Sequence, residues 1–158
     1  MIRSRRSLFR DSLLLASALL ASATALADAP AGEPALAIRP DAVELQWGPC
    51  PPIFAAGCEI AVLHGNPAAP NADVWLRVPA GFHLPPHTHS SAERMVLSGG
   101  KLEVRYQNQK KVVLEKGDYA FGPAGRPHEA RCIGRSACTL FIAFEGPVDA
   151  LPFEGDLH

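Results

Sequence analysis

The chain has 158 residues, of which 47% are hydrophobic and 20% are charged, and its formal net charge at pH 7 is −1. This near-neutral balance offers no basic excess for neutralising phosphates, which argues against a nucleic-acid partner. The length is that of one ordinary domain.

The first 27 residues have the features of an export signal. Residues 1–10 carry four arginines, residues 13–27 are apolar and rich in small side chains, and Ala25-Leu26-Ala27 has the small-x-small form that signal peptidase cleaves. The apolar run is too short, and wrongly flanked, for a membrane span. We therefore predict a signal peptide over residues 1–27, a periplasmic or secreted mature protein, and no membrane association after cleavage.

The stretch SRRSLFR resembles the bacterial twin-arginine export signal, in which two arginines precede an apolar pair and a base. Leu8 and Phe9 stand in the reverse of the usual order, so an ordinary Sec signal is the alternative. A twin-arginine signal implies a protein that folds, and acquires any metal, before it is exported.

All four cysteines lie in the predicted mature chain, at Cys50, Cys58, Cys132 and Cys138. An even number of cysteines in an exported protein favours two disulfides, for which three pairings exist. Proximity in sequence favours the pairs Cys50–Cys58 and Cys132–Cys138. Reduced, buried thiols are the alternative.

The pattern of apolar residues predicts strands rather than helices. Residues 28–48 form a proline- and alanine-rich N-terminal extension, which we predict to be a flexible lead or an added edge strand. From Glu59 onwards, short runs rich in Val, Leu, Phe and Tyr recur at regular spacing, as is typical of an all-β sandwich or barrel. We place the folded domain at residues 49–150 and a C-terminal tail at 151–158.

Candidate metal ligands occur in the stretch PPHTHSSAE. His87 and His89 are two residues apart, and Glu93 follows four residues after the second. Alternation along a strand sends residues i and i+2 to the same face, so the three side chains converge if the chain stays extended. An H-x-H pair is weak evidence by itself, because such pairs also occur in solvated loops.

These residues, together with a later segment, resemble the two motifs of the cupin superfamily. The matching positions are Gly81, His87, His89, Glu93 and Gly100 in the first motif, and Gly117, Pro123, Gly125 and His128 in the second. The resemblance, which covers residues 73–144, implies an all-β fold, the cupin jelly-roll β-barrel. It also implies that His87, His89, Glu93 and His128 hold one divalent metal.

The implied ligand set defines a range of functions. Three imidazoles and one carboxylate suit Fe, Mn, Ni, Co, Cu or Zn, and leave two positions of an octahedron for a small molecule. Cupins with such ligands are often dioxygenases, decarboxylases, isomerases or lyases, so the resemblance implies a metalloenzyme acting on a small oxygen-rich molecule. A non-catalytic binder of a metal or small ligand is the alternative. A sensor, similar to the cupin modules attached to zinc-binding anti-sigma factors, is a further one, which the predicted export disfavours.

We predict four side chains of a substrate pocket: Arg77, Met95, Phe121 and Phe141. Met95 shares the face of Glu93 by alternation, and the two phenylalanines are candidate apolar walls. An inward Arg77 would clamp a carboxylate. The more ordinary arrangement points Arg77 outward and buries its apolar strand neighbours.

The resemblance has one departure and one further implication. Where cupins often carry an asparagine, four residues after the last histidine, this chain has Cys132. Alternation places Cys132 on the face of His128, and a hairpin over residues 133–137 would bring Cys138 opposite it. We therefore predict an inward cross-strand disulfide near the mouth of the barrel, the alternative being a reactive thiolate close to the metal. Cupins commonly dimerise by exchanging strands, which implies a homodimer.

Overall fold

The computed structural model describes residues 32–158, so the predicted signal peptide lies outside the described residues. Residues 37–158 form a compact unit. Within residues 32–158 there are eleven β-strands and no helix, and hence no helix with the length and hydropathy of a membrane span. The prediction of an all-β fold is confirmed.

The strands form two antiparallel sheets. In chain order they are β1 (Trp47–Pro49), β2 (Glu59–His64), β3 (Ala72–Val78), β4 (His83–Thr88), β5 (Glu93–Gly99), β6 (Leu102–Tyr106), β7 (Val112–Leu114), β8 (Tyr119–Gly122), β9 (His128–Cys132), β10 (Cys138–Phe144) and β11 (Leu151–Pro152). One sheet has the order β1-β2-β3-β10-β5-β8, and the other has the order β11-β4-β9-β6-β7. The chain passes repeatedly between the two sheets, which is the jelly-roll arrangement of cupins.

Strict alternation turns one face of each central strand towards the interior. In β10, the buried residues are Cys138, Leu140, Ile142 and Phe144, and the residues between them are partly exposed. Strand β6 of the other sheet shows the same period of two. The two inner faces together form the hydrophobic core, and the space between them contains the candidate site described below.

Strand β4 departs from regular pairing at its two prolines. Pro85 and Pro86 lack the N–H that a ladder hydrogen bond needs, so a strand accommodates them at an edge or an irregularity. Here the register between β4 and β9 shifts between Leu84 and His87. After the shift, His87 pairs directly with His128 of β9, which brings two candidate ligands side by side.

Both disulfides favoured by sequence proximity are present, Cys50–Cys58 and Cys132–Cys138, and the described residues contain no free cysteine. The setting of the second bond differs from the predicted hairpin. Cys132 ends β9 in one sheet and Cys138 begins β10 in the other, so the bond links the two sheets. It also lies at the opposite end of β9 from His128, about 13 Å along the strand, because each strand residue advances about 3.3 Å.

The first disulfide closes the loop between β1 and β2. These strands extend the six-stranded sheet beyond β3, so residues 47–64 supply its edge. Within the loop, the backbone N–H of Cys50 donates to the carbonyl of Cys58, at 3.1 Å, and that of Phe54 donates to the carbonyl of Pro51, at 3.0 Å. The loop is therefore a folded turn rather than an open excursion.

We expect loss of the Cys132–Cys138 bond to destabilise the protein, because the bond restricts the unfolded chain and ties the two sheets together. For a loop of this length the entropic contribution to the free energy of unfolding is about 2 kcal/mol. Urea titration of the Cys132→Ala/Cys138→Ala double variant measures the loss. Thiol titration of unreduced, denatured wild-type protein is the control, and two or more titratable thiols there would contradict the bonding pattern.

Candidate metal centre

Three buried histidines converge in the interior. His87 lies near the end of β4, His89 follows that strand, and His128 begins β9. Each is no more than 8% exposed, and one ring nitrogen from each lies within 4.8 Å of the others. This spacing suits three ligands of a single metal ion.

Backbone carbonyls determine which nitrogen of each ring faces the centre. The Nδ1 atoms of His87 and His128 lie 2.6 Å and 3.1 Å from the carbonyl oxygens of Pro85 and Arg126, and Nδ1 of His89 contacts the carbonyl of Asp149. A carbonyl only accepts, so each Nδ1 carries a proton and donates. In the neutral ring the lone pair then lies on Nε2, which is the arrangement of metal-binding histidines whose second nitrogen is held by a hydrogen bond.

Burial favours the neutral form of two of these rings, those of His87 and His128, by lowering their pKa values. Burial, together with a smaller effect of the neighbouring His128, lowers the pKa of His87 to about 3. Burial likewise lowers the pKa of His128, although the nearby Glu93 carboxylate opposes the effect. A low pKa leaves the imidazole lone pair available to a cation at neutral pH.

Glu93 adds a carboxylate from the opposite sheet. Its oxygens lie 3.5 Å from Nε2 of His89 and 3.3 Å from Nε2 of His128. The chain does not remain extended from His87 to Glu93: it leaves β4 after Thr88 and crosses to β5. The four side chains therefore meet because two sheets face each other, and not because one strand presents them all.

The environment of Glu93 provides a test of whether a metal fits. The residue is only 2% exposed, and its Oε1 has no hydrogen-bond partner among the described residues. None of the described residues that line the cavity is a lysine or arginine. A buried carboxylate beside neutral imidazoles is costly unless a cation compensates it, and a mixed nitrogen and oxygen donor set suits a divalent transition metal.

Two neighbours that sequence reasoning missed hold this arrangement in place. Gly122 of β8 pairs with Glu93, and a Cβ at Gly122 would lie 2.8 Å from Oε1 of Glu93. The backbone carbonyl of Asp149 orients His89 from 60 residues away. Gly122 stands within the second motif, where a glycine is a usable signal, whereas any residue at 149 offers the same carbonyl and leaves no sequence signal.

The predicted pocket residues divide into one inside and three outside. Met95 lines the cavity, as alternation predicts. Arg77 points outward from β3, where its Nη2 lies 2.7 Å from Oε2 of Glu59 and its guanidinium lies 4.1 Å from the Trp47 ring centroid. The inward positions of β3 belong to apolar residues such as Val74 and Val78, which are fully buried.

The two phenylalanines also lie on the outer face. Phe121 is 45% exposed and lies below the guanidinium of Arg94. Phe141 packs edge-on against Trp75, with ring centroids 5.8 Å apart. Both occupy strand positions of the parity opposite to the buried set, so neither borders the cavity.

The disulfide-closed loop supplies a wall that was not predicted. Phe54 packs edge-on against His87, with ring centroids 4.9 Å apart, and Pro51 lines the same cavity. Val148 and Ala150, near the C-terminal end of the described chain, complete this side. The loop has no histidine or carboxylate between its two disulfide-bonded cysteines, which explains why a search for ligand motifs overlooks it.

Comparison with known proteins supports the architecture. A sequence profile of the ChrR cupin-like domain matches residues 37–149. No curated protein sequence is significantly similar to this chain.

Several solved structures share the fold. The DMSP lyase DddQ from Ruegeria pomeroyi is 21% identical, with a TM-score of 0.60 over 71% of this chain and 64% of DddQ. An RmlC-like cupin from Shewanella frigidimarina is 20% identical, with a TM-score of 0.55 over 66% of this chain and 86% of that one. Oxalate decarboxylase from Bacillus subtilis, which has Mn(II) centres, is 17% identical, with a TM-score of 0.54 over 70% of this chain and 30% of the enzyme. This chain thus spans less than two thirds of DddQ and of the decarboxylase, and identities this low establish the fold alone.

We expect Gly122→Ala to weaken metal binding, because the added methyl group would displace the Glu93 carboxylate. Changes beside metal ligands typically reduce metal affinity about 10- to 100-fold, and we expect an effect in that range. Titration with Zn(II) in competition with a chelator measures the affinity. Gly99→Ala is the matched control, since a Cβ there meets no atom within 4 Å. If both variants bound Zn(II) with equal affinity, the absence of a side chain at Gly122 would not be required for Glu93 to bind the metal.

Proposed function

The chain belongs to the family of ChrR cupin-like domains, and on that premise we propose that it is an exported cupin that uses one divalent transition metal. The ligands in this proposal are His87, His89, Glu93 and His128. The observation that carries it is that three buried imidazole rings meet beside a buried carboxylate that has an unpartnered oxygen. No lysine or arginine is among the described residues that line this cavity. The proposal covers any divalent metal of the first transition row that accepts nitrogen and oxygen ligands.

We propose further that the protein is a metalloenzyme acting on a small molecule, of the dioxygenase, decarboxylase or isomerase type. A divalent metal in such a site polarises a bound oxygen atom or activates water. The chain's own contribution is to orient the three rings through backbone carbonyls, to hold the carboxylate over Gly122, and to exclude bulk water with apolar walls. DddQ is a lyase and oxalate decarboxylase is a decarboxylase, and both kinds of activity are among those expected for cupins with such ligands.

A non-catalytic binder of a metal or small ligand is the second candidate, and one observation favours it. Apart from the proposed ligands, Asp149 is the only titratable residue that lines the described cavity, and its Oδ1 accepts a hydrogen bond from the backbone N–H of Ser90 at 2.9 Å. No other described lining residue has a proton-transfer side chain, although Tyr106 lies beside the site, with its ring centroid 5.2 Å from that of His128. Uptake of O₂ with diol, keto-acid and catechol substrates by the metal-loaded protein separates the two functions, since a pure binder gives no turnover.

We also propose that the protein is exported to the periplasm, with residues 1–27 removed as a signal peptide. Two disulfides within one domain support this proposal, because such bonds persist in oxidising compartments. Cell fractionation and the N-terminal sequence of the mature protein test it. Recovery of the uncleaved, reduced chain from the cytoplasm would contradict it.

We also propose that the protein forms a homodimer. The outer face of the six-stranded sheet carries a cross-strand row formed by Trp75, Phe141, Val96 and Tyr119, of which Tyr119 is 57% exposed. An apolar face of this kind is typical of an association surface. A monomeric mass in solution at micromolar protein concentration would contradict a dimer.

We expect His87→Ala to abolish stoichiometric metal binding, because the variant removes one Nε2 ligand and leaves a gap beside the other two rings. Metal analysis by mass spectrometry after dialysis measures the loss. His83→Ala is the matched control on the same strand: His83 is partly exposed, pairs with Glu129 at 3.2 Å and belongs to no candidate site. Retention of one equivalent of metal by His87→Ala would overturn the ligand assignment.

A further inference from the structure

The walls of the cavity are apolar apart from the proposed ligands and Asp149. Both sheets contribute aliphatic and aromatic side chains, among them Leu84, Met95, Val104, Leu140, Ile142 and Phe144. None of the described lining residues is a serine, threonine, asparagine, glutamine, tyrosine, tryptophan, lysine or arginine. A molecule held here therefore finds no side-chain hydrogen-bond donor among the described lining residues beyond the metal centre. Tyr106, whose hydroxyl is buried without a partner and whose ring centroid lies 5.2 Å from that of His128, is not one of those lining residues.

Apart from the atoms proposed to bind the metal, among them the unpartnered Oε1 of Glu93, the polar side-chain atoms of the described lining residues already have partners. The three Nδ1–H groups donate to backbone carbonyls, and Oδ1 of Asp149 accepts from the N–H of Ser90. Backbone groups of the lining strands belong to the ladders of the two sheets. A second polar group on a bound molecule would lose its water without gaining a partner.

The described lining residues also include no lysine or arginine that could clamp an anionic molecule. Arg77, the strongest candidate for that role, pairs with Glu59 on the outer face. Alternation along β3 places the side chain of Arg77 on the outer face of the sheet, so a change of rotamer does not bring its guanidinium into the cavity. An oxygen-rich dianion would have the metal as its only positive partner in the described cavity.

The cavity is also small. Its free volume is about 50 Å³, on a scale where roughly 10–15 Å³ accommodates one water molecule. Phe54 and Pro51 of the disulfide-closed loop limit it on one side. The space suits a few heavy atoms beyond a metal-binding group, and not an extended chain.

We infer that the site selects a compact molecule with one oxygen-bearing head, which binds the metal, and an apolar body, which contacts the walls. This inference rests on the proposed function, because the metal anchors the head. The family resemblance implied an oxygen-rich substrate, whereas the walls of this cavity favour a molecule that is mostly apolar. Burying a hydroxyl without a hydrogen-bond partner has a substantial cost, whereas an apolar group of the same size gains free energy.

Two hydroxamic acids with the same metal-binding head test the inference. Propionohydroxamic acid ends in a methyl group where glycolohydroxamic acid has a hydroxyl, so their sizes match and only the polarity of the body differs. We expect the propionyl compound to bind the Zn(II)-loaded protein about tenfold more tightly. Isothermal titration calorimetry measures both affinities, and titration of both compounds against aqueous Zn(II) provides the reference.

The possible outcomes distinguish a failure of this inference from a failure of the proposed metal-binding function. If the protein retains no zinc after dialysis, the proposed function fails. If zinc is retained and the two compounds bind equally, or the hydroxyl compound binds more tightly, the inference is overturned and the metal site stands. Retained zinc with no binding of either compound also overturns it, since the head then does not reach the metal.

A wall variant adds a second measurement. Met95→Gln keeps a similar length and introduces an amide into the cavity wall, so we expect the preference for the propionyl compound to fall at least about threefold. Val96→Thr is the matched control, because Val96 is the next residue of β5, is half-buried and is absent from the cavity lining. An unchanged preference in Met95→Gln, with zinc bound and the fold intact, would show that the walls do not set selectivity.

Discussion

The carboxylate of Glu93 imposes the electrostatic condition on which the interior depends. It is 2% exposed and lies beside the imidazoles of His89 and His128, whose Nδ1 atoms donate to backbone carbonyls, and no described lysine or arginine lines the same cavity. Neutral rings with outward-facing N–H groups present lone pairs rather than protons to the carboxylate, so they cannot compensate its charge. A divalent cation satisfies all four groups at once, and the same absence of other polar groups leaves the remaining walls apolar.

Strand alternation allows this charged centre to exist within a hydrophobic core. Inward positions of the central strands hold the core and the ligands together, and outward positions hold the exposed ion pairs, such as Arg77 with Glu59 and Arg94 with Glu145. The Cys132–Cys138 bond joins the sheets at the end of β9 remote from His128. The cross-link and the proposed metal ligand His128 therefore lie at opposite ends of one strand, and a metal bound there would, like the disulfide, connect the two sheets.

Resemblance to the two cupin motifs was enough to predict the fold class and to select the three histidines that the structure brings together, because the motifs relate ligand positions in distant segments that strand parity alone does not connect. Properties that depend on how the sheets face each other were not accessible in the same way. Parity alone left both orientations of Arg77 open, and adjacency in sequence made Cys132 and Cys138 look like a hairpin pair although their strands belong to different sheets. The loop that carries Phe54 has no sequence period, so only its disulfide indicated that it is held in one place.

The bond from His89 to the carbonyl of Asp149 has a consequence for the order of folding. It closes a loop of 60 residues and is among the longest-range contacts of the site. Until β5 to β10 have assembled, the ring of His89 has no fixed tautomer, and the local His87–Glu93 segment lacks the geometry of a chelate. Closing a loop of this length costs conformational entropy before the contacts that it allows contribute any stability. A metal bound at this centre would therefore require the tertiary structure to be complete, and its capture would follow folding rather than initiate it.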